Sequence, residues 1–439
     1  MVMEAITINY ENYRVGAVSF DTEKGVGAFE YDPAFIKHGI ELSPIKMPLN
    51  SGIYSFPELD QHTFKGLPGM IADSLPDDFG NAVLNAWVAR QGKSPDQITP
   101  LQRLQYTGTR GMGALEYHPA TQMRHLNAFQ PVQISSLVDI AQEILDERSH
   151  FSVSLNANGE DEREAMMSLL SVGMSAGGAR PKAVLAFNRD FTEVRSGQSA
   201  IPEGFTHYLM KFDGVSEHNK NKETFGDPLG YGAMEYVYYL LAQKCGIKMM
   251  SSHLLNEGSR RHFITQRFDR IGTQKIHTQT LNGLVHVSYK QPGSYSYEEL
   301  FGIARQLKLP FEDAEQLLRR MIFNVVARNH DDHSKNFAFI MNQHHQWQLA
   351  PAYDLAYSYK PGSRWVNSHW MTINGKRDHF IRDDFYVFEQ VSRRFNKAGI
   401  DAIIDETLEH VATWPVVASD YDVPKMLAKE IGNHLRLML

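Results

Sequence analysis

The sequence predicts an α+β fold in which a strand-rich first part precedes a helix-rich second part. Two observations carry this expectation. In the first part, short segments such as "AITINY", "RVGAVSF" and "THYLMKFD" alternate or run apolar between turn residues, as half-buried strands do. Past Asp269, apolar residues recur at helical spacing, most clearly in "YEELFGIARQLKL" and "PFEDAEQLLRRMIFNVVARN".

Taken in order, the first sixty or so residues read as strands, with "GVGAFEYD" the third of them. "GMIADSLPDDFGNAVLNAWVAR" is helical, and Asp77 or Asp78 is placed to cap its second half. "TGTRGMGALEYHP" returns to a strand. A proline-bearing connection around "NAFQPVQISSL" leads into the helix "LVDIAQEILDE", which sets a boundary near 130–140. A glycine-rich stretch, "SVGMSAGGARPKAVLAF", then runs into a strand, and "GAMEYVYYLLAQKCGI" is a helix ended by Gly246. "SSHLLNE" and "RHFITQRFD" are two more strands, and "NFAFIM", "NQHHQ" and "WQLAPAYD" read as strand, turn and strand. These signals divide the chain into 1–135, a strand-rich part 136–268 and a helical part 269–439.

At 439 residues with 42% hydrophobic and 11% aromatic content, the chain can bury a sizeable core. A formal net charge of -7 gives no global basic field, so nucleic acid is expected to be reached only through a local patch or a basic partner. Cys245 stands alone, which excludes an intramolecular disulfide, and its apolar helical setting suits a buried inert thiol. No window approaches the roughly 20 apolar residues of a membrane span. The start reads as a strand rather than a signal peptide, so the expected location is the cytoplasm.

The stretch "NHDDHSKNF" directly follows an apolar helix. Asp331 and Asn336 stand five apart, the spacing of the protein-kinase loop in which the Asp takes the proton of the attacking hydroxyl and the Asn holds Mg²⁺. Alone that spacing is weak. Asp354, at the end of a predicted strand that pairs back through a short turn, supplies a second oxygen ligand, a set that suits Mg²⁺. Lys335 is positioned to neutralise a transferred γ-phosphate, although kinases commonly place that lysine two residues after the Asp rather than four. Upstream, Ser175, Ala176, Gly177, Gly178 and Ala179 form a loop whose glycines let backbone N–H groups approach phosphate oxygens, with Lys182 adding charge. The bland alternative is an ordinary turn.

Lys211 lies inside the apolar strand "YLMKF", where a lysine is costly without an anion. Glu235 is either its ion-pair partner or an exposed first-turn glutamate. Gln266 to Phe268 are candidates for an adenine-binding strap, Phe268 packing on the base or simply in the core. His333 is given a loop-orienting role at the nucleotide site. A zinc hydrolase built on "HDDH" is the sharpest rival, but it leaves the glycine loop, Lys211 and Asp354 unexplained.

On "SVGMSAGGARPKAVLAF", "THYLMKFD", "ITQRFDR", "NHDDHSKNFAFI" and "LAPAYDLAYS", the chain resembles the HipA family of serine/threonine kinases, the toxins of bacterial HipBA modules. "RVGAVSF", "IADSLPDDFGN" and "RGMGALEY" resemble that family's extra N-terminal subdomain. The resemblance implies a two-lobed protein-kinase-like fold using ATP and Mg²⁺. It makes Asp331 the catalytic base, Asn336 and Asp354 the metal ligands, Lys211 the phosphate lysine, and Gln266 and Phe268 the strap. Ser175 falls at the family's autophosphorylation position. The implied substrate is a translation protein such as glutamyl-tRNA synthetase, and the implied partner is a helix-turn-helix antitoxin of HipB type that contacts operator DNA. The sequence departs from the familiar pattern at Asp332 (usually glycine), Gln266 (usually glutamate) and Pro181. Other readings are an antitoxin-bracing protein on DNA with weak kinase activity and a small-molecule kinase.

Overall fold

The computed structural model describes residues 4–121, 133–147, 180–197, 201–216 and 226–439. The loop from Ser175 to Ala179 and much of the connection near 130 therefore lie outside the described residues. The chain divides into two compact units. The first comprises Met1–Leu42, Met47–Gly232 and Ser252–Thr278, and the second Ser43–Lys46, Ala233–Ser251 and Gln279–Leu439.

In the first unit, alternation along Glu4–Tyr10 buries Ile6, Ile8 and Tyr10 on one side. This strand sits inside a five-stranded antiparallel sheet in the order Ile53–Tyr54, Val26–Tyr31, Tyr13–Asp21, Glu4–Tyr10, Leu115–His118. A second antiparallel sheet runs Ser252–Glu257, Arg260–Gln266, Phe205–Lys211, Lys182–Asn188, Val194–Ser196. The strand Lys182–Asn188 is buried on both faces, which is why it reads as a continuous apolar run rather than an alternation. Helices Asp78–Arg90 and Ile134–Glu147 contribute Phe79, Val83, Leu137 and Ile144 to one cluster with Leu185, Phe187, Met210 and Ile264 of this sheet. At about 1.5–3 kcal/mol per large apolar side chain, that burial seats both helices. Of the two capping candidates it is Asp77 that caps, its Oδ1 accepting from the Gly80 N–H at 2.5 Å.

Contrary to expectation, the chain does not turn helical directly past Asp269. Arg270–Ile271 and Gln274–Lys275 first form a small hairpin, which Gly272 turns at a φ of 57°. Two-residue strands carry too little periodicity to be seen in sequence.

The second unit is mainly helical. Helix Tyr297–Gln306 starts in a capping box between Ser296 and Glu299. Phe311–Val326 follows, and Lys397–Ala412, Trp414–Asp420 and Lys425–His434 close the chain. Between them Ala338–Met341 and Trp347–Leu349 pair as the predicted hairpin. Its second strand stops at Leu349, so Asp354 stands five residues past the strand rather than at its end. Mixed helices and antiparallel sheets make the fold α+β, as the sequence predicts. Among the described residues no helix is long and apolar enough to cross a membrane.

Candidate functional site

In the second unit the site grows out of helix Phe311–Val326. Leu317, Leu318, Met321, Ile322 and Val325 are buried, yet Gln316, Arg320 and Asn324 are buried with them. Spaced by four, these three share one stripe of the helix. Each has at least one backbone or side-chain partner, although the buried Arg320 Nε has none among the described residues. The Gln316 amide accepts from Lys248 N–H at 2.7 Å, and Arg320 donates to the Ala350 carbonyl at 2.7 Å. Asn324 donates to the Tyr297 hydroxyl at 3.1 Å. The sequence signal was present: polar residues at i, i+4 on the core face of an amphipathic helix. The apolar spacing alone accounts for a helix and does not distinguish these polar residues from exposed ones.

The helix stops sharply. Arg328 takes a left-handed φ of 58°, and the Asn329 N–H returns to the Asn324 carbonyl at 2.9 Å. For an arginine this conformation is unfavourable, and several contacts hold it there. Its Nε donates to the His434 carbonyl at 2.7 Å, and its guanidinium lies 4.7 Å from the Tyr359 ring centroid. Just before it, the Ala327 carbonyl accepts from Tyr238 at 2.6 Å.

Beyond Arg328 the loop alternates fixed and accessible groups. His330 is fully buried, its ring centroid 4.1 Å from that of His369. Burial, then His369 and Arg328, push its pKa far below the usual histidine range, so the ring is neutral. Asp332 is also buried and accepts from the Tyr297 hydroxyl at 2.8 Å, from the Trp370 N–H at 2.7 Å, and lies 3.0 Å from His369 Nδ1. Burial and the Asp332 carboxylate raise the Tyr297 phenol well above its ordinary pKa, keeping it a donor. Between these anchors the Asp331 side chain remains 46% exposed, with His333 Nε2 at 3.7 Å.

A short 3₁₀ turn, Ser334–Asn336, sets the next two groups. Asn336 donates through Nδ2 to the Asp331 carbonyl at 2.7 Å, which leaves its side-chain oxygen to act as an acceptor. Lys335 Nζ sits 4.8 Å from the Tyr289 ring centroid, and Tyr353 ties down the Lys335 carbonyl at 2.6 Å. Asp354 takes a left-handed φ of 52°, a conformation Asp tolerates better than most residues. Asn336, Asp354, Asn329 and Arg320 line one small cavity. The buried Asn329 Oδ1 there has no hydrogen-bond partner among the described residues. Carboxylate and amide oxygens of this kind are hard donors that fit Mg²⁺. The zinc reading of "HDDH" fails because His330 and Asp332 are buried in the scaffold. Cys245 is buried and its thiol is pushed up to about 12, chiefly by burial, then by Glu406, so it is inert.

In the first unit the antiparallel register places Lys182 directly opposite Lys211. Both are buried, at 2% and 5% exposure. Lys211 Nζ lies 6.0 Å from the ring centroid of Phe263, its register partner on the next strand. Lys182 forms an ion pair with Asp77 at 3.4 Å. Gln266 pairs in register with Tyr208, and Phe268 is only half-buried, so it is not a core phenylalanine.

The residues around Phe268 were not anticipated. Arg267 grips Asp269 through Nε at 2.8 Å and Nη2 at 2.7 Å, and Arg270 adds a contact at 2.7 Å. The Gly113 N–H donates to the same carboxylate at 2.8 Å. Burial alone would raise the Asp269 pKa, but Arg267 and Arg270 override it and hold it well below the carboxylate range. The "RFDR" spacing could have hinted at this cluster. Its partner, the "RGMG" turn, lies 156 residues from Asp269 at Gly113 and is invisible to local pattern.

Glu235, in the second unit, is 4% exposed, which rules out the exposed first-turn reading. Among the described residues no group of three or more His, Cys, Asp or Glu side chains is arranged to hold a metal.

Known proteins share both the sequence pattern and the fold. Residues 174–414 match the family model described as the HipA-like C-terminal domain, and residues 6–118 match that of the HipA N-terminal domain. A putative kinase of Haemophilus influenzae is 27% identical over 172 residues, covering 34% of this chain and 50% of that protein. The match thus spans about half the length of that curated relative. Among solved structures, a chain of the Shewanella oneidensis MR-1 toxin–antitoxin complex of HipA, HipB and operator DNA superposes with a TM-score of 0.65 at 17% identity, covering 98% of this chain and 94% of that one. The proinflammatory kinase CtkA of Helicobacter pylori gives a TM-score of 0.32 at 16% identity over 58% of this chain and 93% of that one, too low to bear on the fold.

Proposed function

Since the chain belongs to the HipA family, with the α+β kinase-like fold its sequence predicts, we propose that it is an ATP- and Mg²⁺-dependent protein serine/threonine kinase, the toxin of a toxin–antitoxin pair. The observation that carries this reading is the cavity shared by Asn336 and Asp354, with Asp331 left accessible between buried anchors. In this reading Asp331 accepts the proton of a substrate serine or threonine hydroxyl. The hydroxyl oxygen bonds to the γ-phosphorus as the bond to the β-phosphate oxygen breaks, and ADP leaves.

Asn336 and Asp354 hold Mg²⁺, which when bound neutralises charge developing on the phosphates. Lys335, backed by the Tyr289 ring, faces the transferred group. Lys211 and Lys182 attract the phosphates, the loop Ser175–Ala179 covers them, and Gln266 and Phe268 bracket the adenine. His333 orients the loop at 3.7 Å from Asp331. Ser175 is the proposed autophosphorylation site, where a dianion beside the nucleotide phosphates would expel the loop.

The proposed partner is a helix-turn-helix antitoxin of HipB type, contacting operator DNA mainly through that antitoxin, in the cytoplasm. The net charge of -7 supports an indirect route to DNA. The proposed target is a translation protein such as glutamyl-tRNA synthetase.

The test is phosphopeptide mapping after incubating the full chain with ATP, Mg²⁺ and a cell extract. The reading predicts one dominant phosphoserine or phosphothreonine on another protein, with a second on Ser175. Absence of protein phosphorylation, with a small molecule modified instead, would contradict it.

A further inference from the structure

Four polar side chains of the helical unit, each no more than 2% exposed, form one hydrogen-bonded chain. The Tyr297 hydroxyl donates to the Asp332 carboxylate at 2.8 Å. Asn324 Nδ2 donates to that hydroxyl at 3.1 Å, and Asn329 Nδ2 donates to Asn324 Oδ1 at 2.9 Å. The chain has a direction, and Asp332 sets it. A carboxylate only accepts, so the Tyr297 proton is committed to it and the phenol oxygen accepts from Asn324. The Asn324 amide is thereby turned with its oxygen toward Asn329, which must donate. Asn329 Nδ2 also points at the Asp354 carbonyl, at 3.5 Å. Reversing the Asn329 amide would set its oxygen against two other acceptors, Asn324 Oδ1 and the Asp354 carbonyl. Its Oδ1 is therefore held away from both, and it is buried with no hydrogen-bond partner among the described residues. Asn329 lines the same cavity as Asn336 and Asp354. A buried acceptor of this kind marks a place for bound water or an ion.

We propose that Asn329 Oδ1 is a further acceptor of the ion site, taking a hydrogen bond from water carried by Mg²⁺, and that the chain from Asp332 through Tyr297 and Asn324 keeps it turned that way. This deepens, and rests on, the Mg²⁺–ATP reading of Asn336 and Asp354. Mg²⁺ gives up its waters reluctantly, so its site needs acceptors beyond the direct ligands. Asn329 is then a positioning residue, and the buried Asp332 acts on the ion through three other side chains.

The experiment is calorimetric titration of the full chain with ATP, with and without Mg²⁺, for the wild type, Asn329→Ala and Tyr297→Phe, with a thermal melt of each. Tyr297→Phe removes one oxygen and keeps the ring, which packs edge-on against Phe337 at 5.8 Å between centroids. It leaves the Asn324 and Asn329 amides free to reverse. The expected result is that the tightening of ATP binding by Mg²⁺ falls about tenfold or more in Asn329→Ala, the range of outer-shell partners at metal sites. Tyr297→Phe should show a smaller fall in the same direction. Affinity for ATP without Mg²⁺ should not change in either.

Folded variants that keep the wild-type response to Mg²⁺ overturn the proposal and leave the nucleotide reading standing. So does a loss confined to Asn329→Ala, which would make its bond to the Asp354 carbonyl the cause. An equal loss of ATP binding with and without Mg²⁺ gives these residues a purely structural part and also overturns it. A wild type that binds no ATP, or whose ATP binding ignores Mg²⁺, removes the ion reading itself and the proposal with it.

Discussion

The loop after helix Phe311–Val326 in the helical unit and the paired strands that carry Lys182 and Lys211 in the strand-rich unit deal with buried charge in different ways. In the loop, the buried Asp332 carboxylate is surrounded by donors: the Tyr297 hydroxyl, the Trp370 N–H and His369. On the lysine face, two buried cations stand opposite one another and the carboxylate of Asp77 comes from outside the sheet. The first arrangement is a scaffold, indifferent to what enters nearby. In the second, Lys182 draws a carboxylate from a segment 105 residues away. The difference teaches that neighbouring charges need not share a role: Asp332 is tied into the scaffold while the adjacent Asp331 side chain stays 46% exposed.

The sharpest way to break this division is Asp331→Asn. The exposed carboxylate should carry chemistry and little stability, so ATP turnover should fall about 10²–10⁴-fold or more while the melting temperature hardly moves. Comparable turnover would show that the base lies elsewhere. Asp332→Ala should do the reverse in kind. It strips a buried network of its acceptor, and urea denaturation should show a loss of about 3–5 kcal/mol. A loss below about 1 kcal/mol, the scale of a single ordinary hydrogen bond, would remove Asp332 from the scaffold.

How much of this was legible in the sequence depends on range. Helix Phe311–Val326, the hairpin after Asn336 and the alternating strands were visible because their signals are local and periodic. Asp331, Asn336 and Asp354 were visible because a loop, a hairpin and a turn keep them within 24 residues. The Asp77–Lys182 pair was not, since 105 residues separate its members and a cap explained Asp77 completely. The Asp332 anchor was hidden for the same reason: its partners come from Tyr297 on one side and His369 and Trp370 on the other. A buried histidine and a surface histidine also look alike in sequence.

Those histidines sharpen the comparison further. In the strand-rich unit, burial depresses His207, His262 and His277 to about 4, with Arg267 and Arg270 adding to the effect on His207 and Arg260 on His262. Each is neutral when folded, whereas the unfolded chain takes up a proton below about 6.5. The unfolded state therefore binds more protons between those values, and stability is present above a pH of about 6.5 and lost as pH falls toward about 4. Melting temperature against pH should show this decline, on the order of 1–3 kcal/mol per histidine. His277→Gln, which keeps a donor for the Leu42 carbonyl now 2.9 Å from His277 Nε2, should flatten it. An unchanged slope would mean that His277 is not buried neutral.

The smallest effect is expected from Arg14→Ala. Its 3.6 Å pair with Asp32 is 62% exposed on the arginine side, and exposed pairs contribute about 0.5 kcal/mol or less. A loss as large as that of Asp332→Ala would erase the distinction between buried and exposed charge.

The most direct measurement is a calorimetric titration of the full chain with ATP, with and without Mg²⁺, for the wild type and Asp354→Ala. If Asn336 and Asp354 hold the ion beside the nucleotide, the wild type shows one site per chain and binding that strengthens with Mg²⁺, and the variant loses that Mg²⁺ dependence. A wild type that takes up no ATP, or a variant with the same Mg²⁺ dependence as the wild type, would contradict it.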